Sequence, residues 1–320
     1  MNNLTRYYNQ NRKTIWLVIV LVAFLLVVIQ LFNNFYKRQN QVNNEQSNTQ
    51  ISQEKDYSNE SQAMVQGSIT SKDRQEEYGA LLDEFLNYCV EGNPNGAYSL
   101  LSNNCKEKLY PSLQSFETNY YSTKFDSKKN YDFQLWSAVD NVHIYLIRIY
   151  DDMLSTGIAS TQDYIQDYLS IVEEDNVYRL NISGYVMTTD YSNRQRAGEA
   201  DDIKVVVNSI DSYMDYEIYN ITVQNYSENR ILLSSDYSNE GIMVKDNKGN
   251  NFDINSIEIN EEDLIVNAKQ SKELNLRFLR SYSTATESDE IIFNNIVKNY
   301  DDFVNNRDEY NDTIQIKVDL

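Results

Sequence analysis

Apolar and polar positions divide the chain into an unbroken apolar run, a polar stretch and a long region of periodic patterns. From Ile15 to Phe32 the only polar residue is Gln30. At about 1.5 Å of rise per residue, this run spans roughly 27 Å, close to the hydrocarbon thickness of a bilayer. The pattern predicts a transmembrane helix over 15–36, preceded by a tail over 1–14. Residues 37–69 are rich in Asn, Gln and Ser and predict a disordered linker.

The residues around the apolar run predict its orientation. The tail over 1–14 is short and basic, which favours the cytoplasmic side, and a long acidic region crosses the membrane largely regardless of its charge. We therefore expect a cytoplasmic N-terminus, extracytoplasmic C-terminal domains and contact with the lipid bilayer through residues 15–36. A cleaved signal peptide is the alternative, but bulky Leu31, Phe32 and Phe35 stand where cleavage requires small residues.

A helical period follows the linker. One helical face carries Tyr78, Leu81, Leu82, Phe85 and Cys89. This spacing predicts an amphipathic helix that begins at a capping box of Thr70 and Asp73 and ends at Gly92. Two short helices are predicted next, capped by Asn93 and by Ser112.

The period then changes to strand alternation. Strands are predicted over Val139–Tyr150, Thr161–Glu173 and Val177–Val186, with a tight turn at residues 174–176 between the last two. Helices followed by an antiparallel sheet predict an α+β domain over 70–189. Its order resembles the NTF2-like fold in three places: the helix end Tyr88–Gly92, the segment Asn95–Ser102 and the hairpin Tyr168–Tyr185. The resemblance implies a cone of sheet wrapped around helices, with room for a pocket.

A polar stretch over 190–202 predicts a linker between two domains, because it carries mixed charge and Gly198. Short, β-rich segments beyond it predict an all-β sandwich over 203–320. The predicted strands are 203–210, 216–224, 230–234, 241–245, 252–254, 272–279, 290–293 and 314–318. The segments Ile221–Asn225, Val244–Phe252 and Leu274–Phe278 resemble the immunoglobulin-like, or telokin-like, domains of bacterial exported proteins. For 294–307, a short helix and an irregular crossing both stay open.

Charge narrows the class of partner. The chain has 28 basic and 48 acidic residues, a formal net charge of -20. Such a surface repels nucleic acid, so we expect none as a partner, and it favours basic proteins or divalent cations. The alternative is that acidity only keeps an exported protein soluble.

Candidate chemistry is sparse. His143, the single histidine, alternates with Tyr145 and Ile147, so it points either into the predicted cone or to the outer face. A structural or surface role is expected, because no orienting partner is identifiable in the sequence. One His and two Cys do not supply a zinc site. We assign no catalytic, cofactor-binding or metal-binding residue, expect no cofactor, and predict that the chain is not an enzyme.

Two features leave alternatives open. Cys89 and Cys105 either form a disulfide, which closes a loop of about 15 residues and contributes about 3 kcal/mol, or remain buried thiols. The segment 246–251 superficially resembles a calcium loop, but its spacing favours a β-hairpin turn around Gly249. The acidic groups at 201–202, 261–263 and 301–302 are expected to be solvated loops, with weak calcium binding as the alternative.

The predicted order of tail, membrane helix, linker, NTF2-like domain and second exported domain resembles the bitopic assembly factors of conjugation and type IV secretion machines. That resemblance implies a non-enzymatic scaffold with protein partners in the cell envelope. The alternative is an envelope receptor that binds a peptide, glycan or small ligand in the NTF2-like cone. An enzyme that uses the cone is the third hypothesis.

Overall fold

The structure, a computed structural model, describes residues 66–67, 72–139, 142–152, 164–236, 241–283 and 285–320. The predicted tail over 1–14, the membrane helix over 15–36 and most of the linker over 37–69 lie outside these residues. Among the described residues, no helix is both long and apolar enough to cross a membrane. The membrane helix therefore stays a prediction from the sequence.

Helices come first in the described chain. They are α1 (Lys72–Val90), α2 (Pro94–Ser99), α3 (Asn103–Leu109), α4 (Leu113–Phe116), a π-helical turn (Glu117–Tyr121) and α5 (Ser122–Lys124). Both predicted caps are confirmed, because Asn93 accepts from the amide of Gly96 and Ser112 accepts from the amide of Ser115. Helix α3 was not predicted, and the proposed cap at Thr70 lies outside the described residues.

A five-stranded sheet supports these helices. Its strands are β1 (Gln66–Gly67), β2 (Lys129–Val139), β3 (Val142–Asp151), β4 (Tyr164–Glu174) and β5 (Val177–Asn181), in that order across the sheet. Only the β1–β2 pair is parallel. The predicted tight turn is confirmed, because Asp175 and Asn176 both have positive φ, as a two-residue hairpin requires.

Two details of this sheet differ from the predictions. Strand β2 was not predicted, although Tyr131, Phe133 and Leu135 alternate with exposed polar residues along it. Gln66 and Gly67 pair with Ser137 and Ala138, so the end of the stretch predicted as a disordered linker over 37–69 is a strand.

Apolar side chains fill the space between the helices and this sheet. Phe85 and Phe116 from the helical segment meet Ile147 and Leu169 from the strands, all fully buried. The amphipathic period of α1 therefore buries its apolar face as predicted.

The chain then builds two further sheets. One contains β6 (Tyr185–Asp190), β8 (Ile203–Tyr213), β9 (Glu217–Asn225) and β14 (Ser271–Phe278), in the order β14-β9-β8-β6, with β7 (Arg196–Ala200) also paired to β8. The other contains β10 (Ile231–Leu232), β11 (Ile242–Asp246), β12 (Asn251–Asp253), β13 (Ile265–Val266), β15 (Ser288–Val297) and β16 (Thr313–Asp319). A 3₁₀ turn (Glu261–Leu264) precedes β13, and helix α6 (Tyr300–Asn305) follows β15.

One predicted strand is two strands in the structure. The strand predicted over Val177–Val186 breaks after Asn181, because Ser183 and Gly184 adopt positive φ and turn the chain. Strand β6 then pairs with β8 rather than with the first sheet, while its first residue, Tyr185, still packs in the core beneath the helices.

The predicted linker over 190–202 contains strand β7 instead. Its side chains are exposed or half-buried, so it lacks the apolar alternation that identifies a strand in a sequence. Gly198 is needed there, because a Cβ at this position would lie 2.1 Å from the carbonyl oxygen of Lys317 in β16.

The two later sheets share one hydrophobic core. Val205 and Ile221 from one sheet contact the cluster that holds Val244 and Phe293 from the other. For 294–307, the sequence had allowed either a short helix or an irregular crossing. In the structure, this segment continues β15 to Val297 and then forms α6, capped by Asn299. The described chain is thus a mixed helix and sheet protein with mostly antiparallel sheets.

Candidate functional site

His143 lies on the face of β3 that is turned towards α1. Its side chain is buried, and its ring centroid lies 4.8 Å from that of Tyr78. Of the two open orientations, the structure has the inner one. The ring packs in the aromatic core rather than opening to solvent, as expected for a structural role.

Both cysteines are free thiols in the core beneath the helices. Burial raises the pKa of Cys105 to about 12 and raises the pKa of Cys89 still further. Because the thiolate is the reactive form, neither side chain is an activated nucleophile near neutral pH. Of the two alternatives for this pair, the structure has the buried thiols.

The segment 246–251 forms the predicted hairpin turn. The Asp246 carboxylate accepts hydrogen bonds from the backbone amides of Lys248 and Asn250, at 3.0 and 2.8 Å. A further hydrogen bond from the Asn250 side chain is the largest cause of a lowered Asp246 pKa. The carboxylate oxygens therefore stabilise the turn. Elsewhere in the described residues, no group of three His, Cys, Asp or Glu side chains converges as a metal site.

A polar cluster joins the helical part to the later strands. The Nζ of Lys108 in α3 lies 3.0 Å from Oδ2 of Asp211 in β8. The hydroxyl of Thr188 donates to Oδ1 of Asp211 at 2.5 Å, and Nδ2 of Asn220 donates to Oδ2 at 2.9 Å. Asp211 is only 4% exposed, so these hydrogen bonds replace the water contacts that its buried carboxylate lacks. We call Lys108, Thr188, Asp211 and Asn220 the junction network.

Aromatic contacts reinforce the same junction. The rings of Tyr185 in β6 and Tyr213 in β8 have centroids 5.3 Å apart, and both belong to the core beneath the helices. The hydroxyl groups of Tyr110 and Ser183 lie 2.7 Å apart. Contacts of this kind join the described residues of the helical part and of the two later sheets in one compact unit.

A cleft of about 490 Å³ opens beside the junction network. We call it the junction cleft. Six of its lining residues are Asn104, Lys108, Asp190, Tyr191, Gln195 and Asn208. Its size falls within the range of roughly 300 to 1,000 Å³ that is typical of ligand sites.

The strand arrangement explains why the cleft exists. Strands β6 and β7 lie on the same side of β8, β6 beside residues 209–213 and β7 beside residues 203–207. Asn208 falls in the gap between them, and the pairing of β8 with β9 shifts register at the same residue. A register shift of this kind is a β-bulge, which changes the direction of a side chain and is common beside functional sites. Residues 191–195 bridge the gap, where the amide of Tyr191 donates to the carbonyl of Asn208 at 2.9 Å.

A second cleft, of about 270 Å³, lies on another side of the junction and is lined by Asp167, Tyr213 and Tyr216 among others. Asp167 is buried and already paired, with the Tyr120 hydroxyl at 2.9 Å and Lys124 Nζ at 3.0 Å. The ring of Tyr216 lies between that of Tyr213, at 4.4 Å, and the guanidinium of Arg277, at 3.5 Å. Both faces of that ring are therefore covered, which leaves no open stacking surface.

Sequence reasoning identified none of the junction residues. Lys108 and Asp211 are far apart in the sequence and belong to elements that were assigned to different domains. No local spacing signals a contact of this kind.

Comparison with known proteins adds no assignment. No protein-family model, curated protein or solved structure matches this chain.

Proposed function

We propose that this chain is a membrane-anchored, extracytoplasmic interaction protein without catalytic activity, a scaffold in a cell-envelope assembly. The junction network is the observation that carries the proposal. Asp211 joins α3 to β8 and β9, so the helical part and the two-sheet part present their surfaces in a fixed relation. Fixed spacing between two binding surfaces is what a scaffold requires.

Other buried charges have similar structural roles. Arg280 and Glu217 form a buried ion pair between β9 and the end of β14, and Glu217 also accepts from Tyr219 and Ser288. Charges that are paired in this way hold strands together, and changing one partner leaves the other unpaired. This pattern supports a structural role for the buried ionisable groups.

The finer fold assignments belong to the same proposal. We infer an NTF2-like unit from the helices packed on the first sheet, and an immunoglobulin-like unit from the two sheets that share a core. Together with the predicted membrane helix, this order supports a component of a conjugation or type IV secretion-like machine. Its partners are the bilayer, through residues 15–36, and envelope proteins, with no nucleic acid.

The membrane anchor is tested first, because the localisation depends on it. The full chain is expected in the carbonate-resistant membrane fraction, with its N-terminal sequence intact. A mature N-terminus near residue 39, or a soluble cytosolic protein, would contradict the proposal.

Photocrosslinking in native membranes then tests the scaffold role. A photoreactive residue replaces Ile257 or Leu279, which are 93% and 65% exposed, and buried Ile147 carries it in the control. We expect discrete adducts with envelope proteins from the exposed positions, and their loss when Asp211→Ala loosens the junction. A chain that remains monomeric and free of adducts at both positions would refute the scaffold.

A receptor is the second candidate function, and the junction cleft is the observation that favours it. The sequence placed the ligand inside an NTF2-like cone. In the structure, Phe85, Phe116 and Tyr120 pack against the inner face of the sheet, so that space is occupied by side chains. A ligand site is better supported at the junction cleft.

A further inference from the structure

We infer that the junction cleft binds a neutral, hydroxyl-rich ligand, a glycan, between α3, the 191–195 loop and the bulge at Asn208. The scaffold proposal does not require this activity. The inference depends on the chemistry of the cleft lining and on the strand geometry that forms it.

The lining holds one charge of each sign. Lys108 is paired with buried Asp211. Asp190 accepts from the amide of Ser192 at 2.7 Å, and this backbone hydrogen bond is the largest cause of its lowered pKa. Among the described residues that line the cleft, these are the two charged side chains, one of each sign. An anionic ligand would meet no free cationic side chain, because Lys108 is paired with Asp211, and the chain's net charge of -20 further disfavours anions. A cationic ligand would have to share Asp190 with Lys108, whose charge already contributes to the lowered pKa of that carboxyl.

The remaining polar lining suits hydroxyl groups. Asn104, Gln195 and Asn208 contribute side-chain amides, each with donors and an acceptor, and Ser192 contributes a hydroxyl. Nδ2 of Asn208 donates one hydrogen bond to Oγ1 of Thr222 at 2.8 Å, which orients this amide and leaves its oxygen and second N–H for a ligand. Each sugar hydroxyl both donates and accepts, so it matches this mixture. Tyr191 and, to a small extent, Val206 supply apolar surface for the C–H face of a sugar ring.

Strand geometry disfavours a peptide. A peptide that extends a sheet needs free backbone groups along a strand edge. At the gap between β6 and β7, the Asn208 carbonyl already accepts from Tyr191, and the flanking residues of β8 pair with β6 and β7. Side chains rather than backbone groups are thus what the cleft offers.

Three trisaccharides that differ in charge test the ligand class on the full chain by isothermal titration calorimetry. N-acetylated chitotriose is neutral, chitotriose with free amines is cationic, and trigalacturonate is anionic. A blocked neutral tripeptide is the fourth probe. We expect the neutral sugar to bind most tightly, at least about tenfold over the other three.

Variants locate the site. Asn208→Ala and Gln195→Ala each remove side-chain hydrogen bonds and are expected to weaken binding of N-acetylated chitotriose about fivefold to tenfold. The matched controls Asn119→Ala and Gln114→Ala change exposed amides on the helical segment and are expected to leave affinity unchanged. Thermal midpoints of all four variants check that the fold is intact.

Two results would overturn the inference. Preferential binding of a charged sugar or of the tripeptide would reject the ligand class. Absent binding of the neutral sugar, or binding that Asn208→Ala and Gln195→Ala do not weaken, would reject the site. Neither result affects the photocrosslinked adducts with envelope proteins, so the scaffold proposal is tested separately.

Discussion

Lys108 and Asp211 form an ion pair between a surface helix and an internal strand, with 3.0 Å between Nζ and Oδ2. The two ends differ in environment, because the Lys108 side chain is 35% exposed and that of Asp211 only 6%. The lysine therefore reaches from solvent to a carboxylate that is otherwise satisfied by Thr188 and Asn220. This asymmetry makes Asp211 the critical residue of the junction.

Asp211→Ala is expected to destabilise the chain by about 2 to 3 kcal/mol, because it leaves three polar partners without their acceptor. Lys108→Ala should cost less, about 0.5 to 1 kcal/mol, since the lysine is partly solvated. Urea unfolding measures both. Asp215→Ala, at an exposed neighbouring position, is the control and should stay within about 0.5 kcal/mol of the unsubstituted chain. Equal effects of the Asp211 and Asp215 changes would show that the network contributes nothing.

Tyr120→Phe isolates one buried hydrogen bond beneath the helices. The Tyr120 hydroxyl donates to Asp167 at 2.9 Å, and both side chains are buried. Its removal is expected to cost about 1 to 2 kcal/mol, because the acceptor is a carboxylate that stays buried. Tyr226→Phe changes a hydroxyl at a half-exposed site and serves as the control. The free energies of unfolding of the two variants should differ; a Tyr120→Phe protein as stable as the control would contradict this account.

Thiol chemistry should report the burial of the cysteines. With the pKa of Cys105 raised to about 12 and that of Cys89 raised further, both thiols stay protonated in the folded chain. Ellman's reagent at pH 8 is expected to react negligibly with the native protein and to titrate two thiols in urea. Rapid native labelling, or no free thiol after unfolding, would contradict the buried-thiol arrangement.

The raised pKa values of the two cysteine thiols also predict a loss of stability at alkaline pH. An unfolded cysteine deprotonates near pH 8.5, well below the pKa of the buried thiols in the folded chain. The contribution of these thiols to the free energy of unfolding is therefore fully present below about pH 8.5. As the pH rises from there towards 12, the unfolded state releases its thiol protons first and is favoured. Cys105→Ala should flatten this dependence of the free energy of unfolding on pH. An unchanged slope in the variant would assign the alkaline loss to other groups.

Gly198→Ala tests the close approach of β7 to β16. An added Cβ would lie 2.1 Å from the Lys317 carbonyl oxygen, so the backbone must move. We expect a loss of about 2 kcal/mol or more in thermal or urea unfolding. Ala197→Ser, at the exposed position next to it, should be nearly neutral. A neutral Gly198→Ala would mean that the two strands separate easily.

Local features were determined by the sequence alone. The caps at Asn93 and Ser112, the turn at residues 174–176 and the amphipathic face of α1 each depend on residues within a few positions of one another. Their energies are set by hydrogen bonds and periodicity over one or two turns of chain, so a sequence pattern contains the necessary information. Strands β9, β14 and β16 were predicted for the same reason, because buried positions alternate along them.

Tertiary structure decided which elements meet. The first residues of β6 were predicted to continue the strand that starts at Val177, yet β6 pairs with β8. Strand β7 has no apolar period and pairs only with β8 among the strands of its sheet. A period shows which face of an element is apolar, but not which partner covers it. The pairing of Lys108 with Asp211, and the cleft at Asn208, arise only when distant elements come together. The sequence therefore determined the caps, the turn and the elements with a clear apolar period, whereas the tertiary contacts determined the junction and its candidate site.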